Sequence, residues 1–201
     1  MKYSSKIRKA ARRAAGTAAL ALILALPAGA AEAAAPSVVP APSPSTAADG
    51  VQAPVDPAAF TDVPADAWYC DEVAEVVSAG LMSGTSASTF SPDWAVTRGM
   101  AVTVLWRLSG APESAAECTF ADVPADTWYS EAAAWAQEQG IAAGNGTGAF
   151  RPESAITREE LAVLLYQYAL SAQSDTAEGV LELYRDGDTV SSWARTAMEH
   201  A

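Results

Sequence analysis

An internal repeat of 60 residues constrains this 201-residue chain more than any other feature of its sequence. Shifting residues 60–110 by 60 positions aligns them with residues 120–170, without a gap and with 17 identities. A third copy begins at Tyr184 and includes Trp193. Repeats of this length are usually supersecondary units that cannot bury their apolar faces alone. We therefore expect a small set of similar units that pack against one another.

Each repeat has the sequence pattern of a helix, a loop and a second helix. In the second copy, Asp126 or Thr127 can cap a helix from Trp128 to Gln139, and Gly140 suits the position after its end. The second helix of this copy is expected from Thr157 to about residue 170. Equivalent signals in the other copies predict helices near 68–79, 98–109 and from 193 onward. The predicted fold class is mainly α, with tandem helix–loop–helix units.

The remaining segments of the chain set the predicted domain boundaries. Residues 1–30 combine a basic stretch, a short apolar run and A-x-A cleavage sites, which is typical of a secretory signal peptide and too short for a membrane span. Residues 31–59 are mostly Ala, Pro and Ser, which predicts a disordered linker. The repeats then occupy residues 60–119, 120–183 and, as an incomplete copy, 184–201.

The charge of the chain beyond residue 30 restricts its partners. All 24 acidic residues but only six of the 12 basic residues lie there, which gives a net charge of −18, and none of those six is a lysine. Such a surface repels nucleic acid and anionic lipid unless a few cations are focused locally. We therefore predict no nucleic-acid partner, and any anion site must use these arginines: Arg98, Arg107, Arg151, Arg158, Arg185 and Arg195.

Two motifs place an arginine directly after the first residue of a predicted second helix. They are Thr97-Arg98 and Thr157-Arg158. A helix N-terminus is partly positive, so an arginine there opposes the helix dipole. The same N-terminus binds anions through its free N–H groups, and an arginine beside it grips a carboxylate with two hydrogen bonds. A salt bridge to an acid of the neighbouring unit is the structural alternative.

The two motifs differ in their caps. Thr157 and Glu160 have the spacing of a capping box, in which each residue satisfies an N–H group of the other. Thr97 is followed by Met100 at the same spacing, so only half of that box is present.

The composite pattern resembles the S-layer homology family. It consists of F-x-D-V followed by W-Y, then G-[IL], F-x-P and T-R, in units of 50–60 residues. The resemblance covers residues 60–201 and implies three units in a pseudo-trimeric helical bundle with prongs and grooves. It also implies binding of secondary cell-wall polysaccharide, often pyruvylated, by the arginine of the T-R motif. The third unit stops before its loop and second helix, which suggests a fragment of a longer protein.

These implications give a set of candidate ligand-binding residues. The Thr-Arg pairs come first, with the first repeat expected to matter less. Trp68 and Trp128 are possible sugar platforms, although packing is the favoured interpretation for an aromatic residue at helical spacing. Gly144 and Asn145 are expected to form a turn at the edge of a groove. The candidates are Thr97, Arg98, Thr157, Arg158, Trp68, Trp128, Gly144 and Asn145.

Catalysis is not predicted for this chain. His200 is the only histidine, and the sequence has no G-x-S-x-G or H-E-x-x-H motif. No cofactor or metal is expected.

The predicted function is a secreted, non-covalent cell-wall anchor. The alternative is a structural module that assembles through lateral contacts with other surface-layer proteins.

Two cysteines, Cys70 and Cys118, follow the predicted signal peptide. An oxidising exterior permits a disulfide between them. Two separate buried thiols are an equally acceptable interpretation of the sequence.

Overall fold

The computed structural model describes residues 60–144, 146, 148–174, 179, 181 and 184–200. The predicted signal peptide, the predicted linker and the candidate Asn145 lie outside these residues. The chain forms two compact units that divide between Trp94 and Ala95. The first unit therefore holds the first helix and the loop of the first repeat, and the second unit holds the remainder.

Five α-helices account for the regular structure of the described residues, and no β-strand is present among them. They are α1 Cys70–Ser78, α2 Arg98–Leu108, α3 Ser130–Glu138, α4 Arg158–Ser171 and α5 Arg195–Glu199, with a 3₁₀ helix at Gly187–Thr189. A single β-bridge among these residues pairs Thr97 with Ala155. The predicted mainly α fold class is confirmed, whereas the pseudo-trimeric arrangement stays a prediction.

The predicted starts of the first helices were wrong by two residues. Tyr69 and Tyr129 occupy the N-cap positions of α1 and α3, and neither makes a side-chain cap. Thr127 does not cap α3, because its hydroxyl donates to the carbonyl of Pro124 at 2.9 Å. A tight turn between Pro124 and Ser130 thus replaces the first helical turn.

The predicted ends of these helices are confirmed. Gly140 has a φ of +69°, a conformation that glycine adopts without steric cost. The N–H of Ile141 then donates to the carbonyl of Ala136 at 2.8 Å, which closes a Schellman motif. Gly80 ends α1 in the same way, with Leu81 bonded to Val76 at 2.9 Å.

Each compact unit contains a pair of phenylalanines beneath its helices. Phe60 and Phe90 meet edge to face in the first unit, with ring centroids 5.6 Å apart. Phe120 and Phe150 stack at 5.3 Å in the second unit. The second unit is completed by α3 packing on α2 and by α5 packing on α4. Phe150 is fully buried.

The aspartates of the F-x-D-V motifs fix the loops between the helices. Each carboxylate accepts two backbone N–H groups of the F-x-P segment: Asp62 from Phe90 and Ser91 at 2.8 and 2.7 Å, and Asp122 from Phe150 and Arg151 at the same distances. Ser91 and Arg151 consequently adopt positive φ values of +62° and +60°.

Cys70 and Cys118 are not bonded to each other in this structure. Cys70 lies at the start of α1 in the first unit, and Cys118 precedes Phe120 in the second. Both side chains are half-buried. Because the two cysteines belong to different units, the choice between a disulfide and separate thiols stays a prediction.

None of the helices in the described part of the chain is long and apolar enough to cross a membrane.

Candidate functional site

The start of α2 is closed by the loop of the second repeat. Its three first-turn N–H groups all have acceptors: Arg98 donates to the carbonyl of Ser154 (3.0 Å), Gly99 to that of Pro152 (2.9 Å) and Met100 to Thr97 Oγ1 (3.2 Å). The half-formed cap predicted at Thr97 is confirmed. An anion at this helix start would have to displace two carbonyl groups of the protein.

The Arg98 side chain lies inside the second unit. Only 7% of this residue is exposed, and its Nε donates to the carbonyl of Phe150 at 2.8 Å. The guanidinium lies 5.0 Å from the centroid of the Phe150 ring and 3.3 Å from Glu160 Oε1. Burial lowers the pKa of the guanidinium, and the Glu160 charge opposes that shift. In this structure Arg98 is therefore a contact between α2 and the second loop.

Glu160 connects three parts of the second unit. Its Oε2 accepts the N–H of Thr157 at 3.0 Å, while its own N–H donates to Thr157 Oγ1 at 3.2 Å, so the predicted capping box is confirmed. Its Oε1 receives Arg151 at 2.7 Å as well as Arg98. The carboxylate thus joins the cap of α4 to both arginines.

The start of α4 is open, in contrast to that of α2. Thr157 and Arg158 are exposed. Among the described residues, the N–H groups of Arg158 and Glu159 have no acceptor, and the Arg158 guanidinium forms no ion pair. A helix N-terminus with free N–H groups and an adjacent guanidinium is a favourable place for an anion.

Arg151 flanks this open helix start. Its guanidinium is bonded through Nη2 to Glu160, in the first turn of α4, and 48% of its side chain is exposed. The bond to Glu160 restricts the rotamers of Arg151, so less entropy is lost when its outer edge binds an anion. Two guanidinium groups therefore lie at the α4 start, one of them already held in place.

The two candidate tryptophans have different surroundings. Trp68 is 68% exposed and meets Tyr69 edge to face at 5.4 Å, so the favoured packing role was wrong for it. Trp128 is half-buried and meets Tyr129 at 5.0 Å. Tyr129 in turn lies against the start of α2, since a Cβ at Gly99 would come within 3.3 Å of its ring. Trp128 therefore contacts the tyrosine that lies against the closed helix start.

Gly144 holds the loop against the phenylalanine pair. Its φ is +67°, and a Cβ at this position would lie 2.9 Å from both the carbonyl oxygen of Ala149 and Phe120 Cε1. The glycine is therefore required by backbone conformation and by close packing. These contacts give Gly144 a structural role, independent of the ligand-binding role that we predicted for it.

Sequence reasoning missed Arg151 and Glu160 as partners. Their only sequence signal is a paired difference between the repeats: the second has Arg151 and Glu160 where the first has Ser91 and Met100. The two positions are nine residues apart, which suggests no contact until the loop is known to fold back on the helix.

The geometry defines a helix–loop–helix repeat protein with one closed and one open Thr-Arg helix start in its second unit. The family model of the S-layer homology domain matches residues 59–101 and 119–162. These two repeats are therefore S-layer homology domains, as the resemblance predicted.

Curated relatives share the repeat region. An endoglucanase of Bacillus sp. (strain KSM-635) is 32% identical over 145 residues, which are 71% of this chain and 15% of that enzyme. An S-layer protein of Bacillus thuringiensis subsp. finitimus is 34% identical over 121 residues, 59% of this chain and 15% of that protein. An amylopullulanase of Thermoanaerobacterium thermosulfurigenes is 29% identical over 71% of this chain and 8% of the enzyme.

This chain spans less than a sixth of each of these relatives. Their names include two different enzyme activities and a surface-layer protein. The segment that they share with this chain therefore occurs in proteins with different activities.

Proposed function

We propose that this chain is a cell-surface anchor that binds an anionic wall polymer, such as a pyruvylated secondary cell-wall polysaccharide, at the start of α4. The observation that carries the proposal is the open helix start, where an exposed arginine accompanies two free N–H groups. No other cation type competes for this role, since the chain beyond residue 30 contains no lysine. The exported location follows from the predicted signal peptide.

The binding chemistry is that of a carboxylate at a helix N-terminus. One carboxylate oxygen accepts the free N–H groups of Arg158 and Glu159, and the guanidinium of Arg158 takes the other oxygen. Arg151 supplies a second positive charge from the side, because Glu160 already holds it in position. Thr97 and Arg98 keep the loop of the second repeat in place and do not contact the polymer.

A second candidate function follows from the closed helix start. At α2 the N–H groups and the guanidinium of the equivalent motif donate to carbonyl groups of residues 150–154. A loop of the same kind from another surface protein would satisfy the free groups at α4. In that case the chain is a structural assembly module, which is the alternative raised by the sequence. We propose no catalytic function for either case.

Wall binding of the Arg158 variants tests the first candidate. Isolated wall sacculi are incubated with the protein, with Arg158→Ala, with Arg158→Lys and with Arg185→Ala, which removes another exposed arginine of the same unit. Losing a charge-assisted hydrogen bond costs about 1.5–3 kcal/mol, so Arg158→Ala should bind roughly 10-fold more weakly or worse. Arg158→Lys should recover part of the loss, and Arg185→Ala should bind normally.

The polymer and the assembly state separate the two candidates. Sacculi stripped of pyruvate should retain little protein if the wall polymer is the ligand. Normal retention of Arg158→Ala on intact sacculi contradicts the anchor site. Concentration-dependent association without any wall, lost in Arg158→Ala, supports the assembly module in its place.

A further inference from the structure

The second unit contains two equivalent contacts between consecutive repeats. In each, the second helix of one repeat packs against the first helix of the next: α2 against α3, and α4 against α5. The residue after the Thr-Arg motif is Gly99 in the first contact and Glu159 in the second. The N-cap residue of the following helix is Tyr129 in the first and Ala194 in the second. The first contact therefore combines a small residue on the second helix with a large N-cap residue, and the second contact combines a large residue with a small one.

In the first contact the tyrosine ring fills the space beside the glycine. Tyr129 is buried, and a Cβ at Gly99 would lie 3.3 Å from its ring and 3.2 Å from the carbonyl oxygen of Pro152. Both distances are shorter than ordinary van der Waals contact. A longer side chain at Gly99 would have to push one of these groups aside.

In the second contact the glutamate side chain faces a turn that ends in alanine. Ala194 is completely buried, and its N–H donates to the carbonyl of Ser191 at 3.0 Å. The N–H of Ser191 donates to Glu159 Oε1 at 2.8 Å. The glutamate therefore binds the turn before α5, at the end of which Ala194 occupies the position equivalent to Tyr129.

We propose that Gly99 with Tyr129, and Glu159 with Ala194, are matched pairs that determine which first helix each second helix accepts. A helix that begins with tyrosine would collide with Glu159 on α4. A helix that begins with alanine would leave a gap beside Gly99 on α2 and would lose the carboxylate contact.

The partner that this device rejects is the wrong repeat, from the same chain or from a second copy. Copies of a repeat protein that are crowded together can exchange equivalent helices. Because α3 does not fit α4, neighbouring copies are prevented from docking α3 in the place of α5. The order of the repeats is thereby determined by side-chain size.

Thermal unfolding of paired variants tests the proposal. Ala194→Tyr should lower Tm by about 3–10 °C through overpacking against Glu159. Adding Glu159→Gly should recover at least half of that loss, although it removes the contact with Ser191. The control pairs Ala194→Tyr with Glu131→Gly, since Glu131 is an exposed first-turn glutamate of α3, and it should recover nothing.

The reciprocal pair repeats the test at the first contact. Gly99→Glu should lower Tm or prevent folding, and Tyr129→Ala should lower Tm by leaving a cavity. Their combination should lose less than the two losses added together, or should restore folded protein. The proposal is overturned if both double variants show additive losses, if Ala194→Tyr leaves Tm unchanged, or if Glu131→Gly rescues as well as Glu159→Gly.

Discussion

Two copies of the same Thr-Arg dipeptide have opposite surroundings in this chain. Arg98 is buried against Phe150 and Glu160, whereas Arg158 is exposed at an open helix start. The loop at residues 150–154 of the second repeat covers the first copy, and the equivalent loop of the third repeat lies outside residues 184–201. A dipeptide motif is therefore insufficient to assign a binding role, because its chemistry depends on residues about 50 positions away.

Arg98 and Arg158 should differ in their contribution to stability. Arg98→Met leaves the Phe150 carbonyl without its donor and removes a buried charge partner of Glu160, which should cost about 2–4 kcal/mol. Arg158→Met changes an exposed residue and should stay within about 0.5 kcal/mol. Urea unfolding of both variants measures the difference. Equal losses would show that Arg158 also has a structural partner.

Asp122 should make the stability of the second unit sensitive to acid. Burial raises the pKa of this carboxyl, but the N–H groups of Phe150 and Arg151 outweigh burial and lower it overall. A lowered pKa contributes stability above the unfolded value of about 3.9, and the contribution disappears as pH falls through the folded value. Asp122→Asn should therefore be less stable at pH 7, by about 1 kcal/mol, and should lose less stability below pH 4.

The Asp122 prediction is checked by thermal unfolding between pH 7 and pH 3. Asp126→Asn is the control for removing one carboxylate, since Asp126 is exposed and lies in the same unit. Parallel profiles for the protein and Asp122→Asn would contradict the assignment.

Among the elements, the second helices could be predicted from the sequence and the first helices only in part. Thr97 and Thr157 cap their helices locally, and Gly80 and Gly140 end theirs locally, so short-range rules suffice there. The first helices begin after a tight turn that no cap residue marks. The burial of Arg98 depends on a loop that folds back from the next repeat, and periodicity carries no information about that contact.

Replacing Gly140 at a helix end and Gly144 in the loop should destabilise the protein to different extents. Gly140 has a φ of +69°, and a Cβ at this position would meet no atom within 4 Å, so Gly140→Ala should cost about 1 kcal/mol of conformational strain. Gly144 has a similar φ, and a Cβ there would meet Ala149 and Phe120 at 2.9 Å. Gly144→Ala should therefore cost more, by about 1–3 kcal/mol. Equal unfolding midpoints for the two variants would contradict this packing.

At the scale of the whole molecule, the open start of α4 operates within a strongly acidic surface. The net charge of −18 beyond residue 30 repels an anionic polymer at long range, while Arg158 and Arg151 attract it at short range. The two effects differ in range and therefore in their response to salt.

Salt should first strengthen the proposed binding to an anionic wall polymer. The Debye length falls from about 30 Å at 0.01 M to about 8 Å at 0.15 M, which screens the repulsion before it screens the contact at α4. Binding measured by sedimentation with sacculi should rise over this range and fall only near 1 M. A steady decrease from the lowest salt would show that attraction by several cations dominates.

Aspartates far away in the sequence hold the backbone of the F-x-P loop. Its backbone conformation therefore does not depend on the side chains of the loop. Ser91 and Arg151 share a left-handed conformation, and their own N–H groups donate to Asp62 and Asp122. Glycine is thus not needed there, and a neutral hydroxyl and a long cation are both tolerated. Each repeat therefore offers one position whose chemistry can diverge without redesign of the scaffold, and duplication followed by drift at that position could tune recognition one repeat at a time.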